Sequence, residues 1–112
     1  MSKQVRVKFL SDKLEKEYLD LSEEAPLRKR INYVISRIKE NPTFGQPIAK
    51  RLIPKEYARQ GVDNAYWVEL SKGRGWRLIY TLTAEDKIEI VAIILEWFTR
   101  HKDYGRRFGY GS

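Results

Sequence analysis

AYWVELSKGRGWRLIYTL, residues 65–82, is the stretch whose reading decides the fold. Ala65 to Leu70 and Trp76 to Leu82 are aromatic and β-branched runs, and the polar, glycine-containing connector Ser71 to Gly75 separates them. Two strand-forming runs joined by so short a connection predict a β-hairpin. Side chains alternate along a strand, so Trp76, Leu78 and Tyr80 share one face while Arg77 and Ile79 share the other. An arginine is thereby placed in mid-strand and not in the solvated turn, where it needs a partner.

Working outward, Thr83 to Lys87 forms a second connector and Ile88 to Phe98 a third strand, which gives an antiparallel meander. Near the N-terminus Val5, Val7 and Phe9 alternate with Arg6 and Lys8, the period-two pattern of a half-buried strand. That strand must join the same sheet, because its backbone groups need partners. Ser11 suits the cap of a helix with Leu14, Tyr18 and Leu21 on one stripe. Pro26 suits the first turn of a second helix, in which Leu27, Ile31, Val34, Ile35 and Ile38 recur with helical spacing until Asn41-Pro42 ends it. Residues Thr43 to Asn64, punctuated by Gly45, Pro47, Pro54 and Gly61, predict a structured loop. The expected fold class is α+β. It comprises a twisted antiparallel sheet, two N-terminal helices on one face and a short C-terminal helix or tail. Residues 109–112 are expected to fray, and 111–112 fit a cloning remnant.

The 112 residues, 42% of them hydrophobic, suffice for one core and predict a single domain over 1–112. The longest apolar run, Ile90 to Leu95, is strand-sized and ends at Glu96, so no membrane span is expected. With no apolar signal region at the N-terminus, a cytoplasmic location is expected. Absence of cysteine removes thiolate chemistry, and one histidine argues against a histidine-based metal site, so neither cofactor nor metal is expected. The net charge is +7 and the pI near 9.7. Residues 11–24 hold six acids against two lysines, a net −4, which leaves +11 on the rest of the chain. Such a regional surplus attracts polyanions.

Three basic clusters within it could carry chemistry. Lys72, Arg74 and Arg77 lie on the hairpin with Trp76 and Tyr80. Arg77 suits either a structural ion pair with Glu69 or Glu89 or a guanidinium fork for phosphate. Arg100, His101, Lys102, Tyr104, Arg106 and Arg107 follow the last strand, where cations interleaved with an aromatic can hold phosphate and stack a base. Lys50, Arg51, Lys55 and Arg59 lie in the irregular loop and show only that a basic surface is there.

Taken in order, these clusters resemble the RelE/ParE superfamily of type II toxin–antitoxin toxins. The resemblance rests on Gly45-Gln46-Pro47-Ile48-Ala49-Lys50-Arg51-Leu52, on Trp76-Arg77-Leu78-Ile79-Tyr80 and on Arg100-His101-Lys102-Asp103-Tyr104, and extends over nearly the whole chain. It implies a RelE-like fold and, for many members, mRNA cleavage in the ribosomal A site. Catalytic residues are then expected at Arg77, Arg100, His101, Tyr104 and Lys50. Arg51, Lys55, Arg59, Lys72, Arg74, Lys102, Arg106 and Arg107 are expected to bind RNA. The implied partners are an acidic, helical antitoxin, mRNA and the ribosome, with no membrane. Pro54 to Asn64 is longer than the family's compact loop.

Metal-free RNA cleavage needs a base for the 2′-hydroxyl, cations for the phosphorane and a proton for the leaving 5′-oxygen. Arg77 and Arg100 can supply the charge. His101, with an unperturbed value of about 6.5, exchanges protons near neutrality. Lys50 can act as a base only where burial or neighbouring cations favour its neutral form, and Tyr104 can stack a base or hydrogen-bond a phosphate. Two other readings stand beside the endoribonuclease: a ParE-like DNA gyrase inhibitor, and a nucleic-acid-binding module without catalysis.

Overall fold

The computed structural model describes residues 4–71, 73–84 and 89–109. Along the chain run β1 (Gln4–Phe9), α1 (Asp12–Leu19), α2 (Pro26–Glu40), β2 (Gln46–Pro47), a 3-10 turn (Lys50–Leu52), α3 (Lys55–Ala58), β3 (Tyr66–Ser71), β4 (Trp76–Ala84), β5 (Glu89–Phe98) and α4 (His101–Phe108). The α+β class, the hairpin, the added N-terminal strand and the two helices agree with the sequence pattern. Ser11 caps α1 by accepting from the Leu14 N–H at 3.1 Å, and Pro26 opens α2. Lys72, the connector residues 85–87, the expected strand start at Ile88 and residues 110–112 lie outside the described residues.

The sheet corrects the expectation in two ways. It has five strands, ordered β1-β5-β4-β3-β2, and it is mixed, because β1 pairs parallel to β5 from Gln4↔Glu89 to Phe9↔Ile94. Alternation reveals which face a strand buries but not its direction. The parallel pairing is possible because most of the chain runs between β1 and β5, far more than such a crossover requires. The fifth strand, β2, comes from the segment expected to be a loop; it pairs with β3 at Gln46↔Trp67 and Pro47↔Tyr66. That segment also supplies the 3-10 turn and α3.

Each face of the sheet has its own layer. On the first, Leu78, Tyr80, Ala92 and Ile94 pack with Ile31, Val34 and Ile38 of α2, while Leu14, Tyr18 and Leu21 border the cluster. On the second, Ile79, Leu95 and Phe98 pack with Tyr57 of α3 and Tyr104 of α4. β4 and β5 are interior strands covered on both faces, which explains the unbroken apolar run in β5.

A bulge decides what reaches the second face. Ile79 pairs with Glu96 and Tyr80 with Ile94, so Leu95 is the extra residue in β5. Beyond it the alternation is reset, and Glu96 and Phe98 lie opposite Ile79 and Arg77.

Candidate functional site on the second face of the sheet

Arg77 stands in the middle of β4, half-buried, directly across from Glu69 on β3 and Phe98 on β5. Its guanidinium carbon lies 4.5 Å from the centroid of the Trp67 ring and 4.6 Å from that of Tyr104. Both contacts have cation–π geometry, and together they fix a planar cation that a lysine ammonium could not imitate. The cross-strand ion pair open to Arg77 does not form. Among the described residues its guanidinium makes neither an ion pair nor a hydrogen bond, and it is held by ring faces instead.

Tyr104 serves this arrangement from α4. Its ring stacks on Phe108 at 4.6 Å, meets Phe98 edge-on at 5.6 Å and is 3% exposed, so no base can stack on it. The sequence expectation of a stacking tyrosine is corrected: burial makes this ring a support for Arg77. His101, exposed in the first turn of α4, places its ring 6.4 Å from the Tyr104 ring at 25°. Arg100 is the N-cap of the same helix, its side chain 63% exposed and 3.4 Å from Asp103. Such a solvated pair constrains it weakly. Tyr104 thus links Arg77 to His101, and Arg100 enters the site only as the residue that opens the same helix.

Lys50 is exposed in the 3-10 turn, and its side chain makes no hydrogen bond or ion pair among the described residues. Its neighbours Ile48 and Ile53 pack against the second-face cluster, so the turn lies on the same side of the sheet, but no contact joins Lys50 to Arg77. The loop is anchored by Tyr80. The Gly45 N–H donates to Tyr80 Oη at 2.9 Å, and the Tyr80 hydroxyl donates to the Pro42 carbonyl at 2.8 Å. Gly45 is required there, since a Cβ would stand 3.0 Å from each of the Trp67 oxygen, the Tyr80 ring and Val68. Burial raises the Tyr80 phenol above its ordinary value, partly opposed by the Gly45 N–H.

The basic residues expected to bind RNA divide. Arg51, Lys55, Arg59, Lys102 and Arg106 are exposed, and Arg74 is exposed with its guanidinium 4.9 Å over Trp76. Arg107 is committed elsewhere. Its Nε and Nη2 donate to the two Glu96 oxygens at 2.8 and 3.1 Å, and Nη1 donates to Glu56 at 2.9 Å. Tyr57 donates to Glu96 Oε1 at 2.6 Å. The hydrogen bond to Glu96 raises the Arg107 pKa, and burial, reinforced by the same carboxylate, raises that of the Tyr57 phenol. The Glu56 carboxyl is lowered, first by a backbone hydrogen bond and then by Arg107. This network ties α4 to β5 and α3, and so holds Tyr104 over Arg77.

Sequence reasoning missed Trp67 and the Glu96–Arg107 pair. Trp67 was legible in principle, since the hairpin register puts it diagonal to Arg77 on one face. The pair was not, because the bulge that turns Glu96 toward α4 leaves no mark in the alternation. No helix among the described residues is long and apolar enough to cross a membrane. Set beside protein-family models, curated proteins and solved structures, the chain matches none of them.

Proposed function

We propose that this chain is the toxin of a type II toxin–antitoxin system, a ribosome-dependent, metal-free mRNA endoribonuclease that inhibits translation. The observation that carries the reading is Arg77: a half-buried guanidinium, oriented by two rings, whose N–H donors have no acceptor among the described residues. Donors that the protein leaves unmatched are open to an acceptor from outside, and a phosphodiester supplies two anionic oxygens that suit a guanidinium fork.

Around that point the chain offers the remaining chemistry. Arg77 and Arg100 neutralise charge as the phosphorane forms, and His101 donates a proton to the departing 5′-oxygen. Tyr104 and Trp67 keep the guanidinium in place. Exposed Arg51, Lys55, Arg59, Lys102 and Arg106 guide the RNA backbone, with Lys50 on the neighbouring turn. The same basic surface suits an acidic, helical antitoxin.

Primer-extension mapping of mRNA ends after induction of wild type and of Arg77→Ala tests the proposal. Growth arrest with new mRNA ends in wild type, and neither in the variant, is expected. Arrest with intact mRNA and inhibited DNA supercoiling would replace it with gyrase poisoning.

A further inference from the structure

We infer that Glu69 is the proton acceptor of the candidate site, an assignment that rests on the nuclease reading above and completes it. Cleavage through the 2′-hydroxyl requires a base on the opposite side of the phosphate from the group that protonates the leaving oxygen. Arginines cannot serve, Lys50 is exposed and makes no contact with Arg77, and His101 is assigned to the leaving oxygen. Glu69 is directly opposite Arg77 in the β3–β4 register, on the same face of the sheet. Side chains so paired stand with Cβ atoms about 5 Å apart, close enough for one phosphodiester to meet both.

Three further observations single it out. Glu69 is exposed, and its carboxylate has no ion pair or hydrogen bond among the described residues despite the cation across the ladder. The cause is visible: Trp67 and Tyr104 draw the guanidinium over their rings and away from the carboxylate across the ladder. Finally, β2 is only two residues long, and before its start Glu69 borders a hollow of ≈330 Å³ lined also by Phe44, Gly45, Gln46, Trp67 and Val68. An RNA strand can approach Glu69 from that edge. A carboxylate set in a basic surface lowers affinity for RNA, so its placement here is explained by chemistry and not by binding.

The step balances without a co-reactant. The 2′-hydroxyl gives its proton to a Glu69 oxygen while its own oxygen bonds to phosphorus. The P–O5′ bond breaks, and O5′ takes a proton from His101. The products are a 2′,3′-cyclic phosphate and a 5′-hydroxyl.

The test is single-turnover cleavage of mRNA on purified programmed ribosomes by the full chain, with affinity for the same ribosomes measured in parallel. Glu69→Gln is expected to slow cleavage by about 10²–10⁴-fold, the usual contribution of a general base, with affinity unchanged or tighter because a negative charge is removed. Glu69→Asp is expected to recover part of the rate. Glu69→Gln cleaving as fast as wild type, or losing affinity in place of rate, overturns the assignment while leaving the nuclease reading intact. Wild type leaving mRNA uncut overturns both.

Discussion

The two faces of the sheet are built on opposite plans. On the helix face, Leu78, Tyr80, Ala92 and Ile94 meet Ile31, Val34 and Ile38, all nearly inaccessible to water, and the layer is held by apolar area. On the second face a smaller apolar cluster is surrounded by rings and charges: Trp67 and Tyr104 around Arg77, and Glu96 between Tyr57 and Arg107. The difference teaches where stability and activity reside. Non-directional burial makes one side robust, and directional contacts make the other able to orient a cation.

The sharpest way to break this comparison is to damage each face and watch the wrong property fail. Leu78→Ala, at a site with no exposure, is expected to cost about 2–5 kcal/mol in urea unfolding. Arg77→Ala, its neighbour on the other face, should leave the urea midpoint nearly unchanged yet reduce mRNA cleavage by about 10²–10³-fold, the scale of losing one transition-state donor. Arg77→Lys should not restore it, since an ammonium cannot lie flat between two rings. If Arg77→Ala instead unfolds the protein with the loss of Leu78→Ala, the division of labour fails.

Smaller effects sharpen the same contrast. Tyr80→Phe leaves the buried Gly45 N–H without its acceptor and should cost about 2 kcal/mol, read by unfolding and by faster proteolysis within residues 43–54. Glu96→Gln weakens the Arg107 fork and should cost about 1.5 kcal/mol, with amide exchange rising in α4 before α2. The pH dependence is slighter. Tyr57 and Tyr80 have phenols raised above 10.0, so the folded state binds protons that the unfolded state releases. Their stabilisation is complete below pH 10 and declines as pH rises beyond it, which Tyr57→Phe should blunt in alkaline melts. Glu56, lowered from 4.5, acts in reverse: its contribution is present above that value and is lost as pH falls through the folded pKa.

Much of the first face was legible from residues alone. Helical spacing marked α2, and alternation marked β1, β3 and β4, because burial against one layer imposes a period. The direction of β1 was not legible, since parallel and antiparallel strands alternate alike. Residues 43–64 hid β2 and α3 because elements of two and four residues are too short for any period to show. In the site, the opposition of Arg77 and Glu69 followed from hairpin length, whereas the absence of an ion pair did not: it depends on Tyr104, brought over by a helix much later in the chain. Arg107 looked like its basic neighbours until Glu96 was turned toward it.

The extra residue at Leu95 makes strand pairing, beyond residue identity, a determinant of the site. Because Ile79 faces Glu96 and Tyr80 faces Ile94, taking Leu95 out would leave these as successive pairs of a regular ladder, with Glu96, Trp97 and Phe98 on the faces they already occupy. Keeping Leu95 but flattening the bulge would instead send the carboxylate and Phe98 toward the helix layer and Trp97 toward the second face. Leu95 thus adds its side chain to the second-face cluster without disturbing the pairing on either side of it. Among descendants of this sequence, loss of the bulge residue should be tolerated more readily than loss or gain of one residue between Glu96 and Phe98.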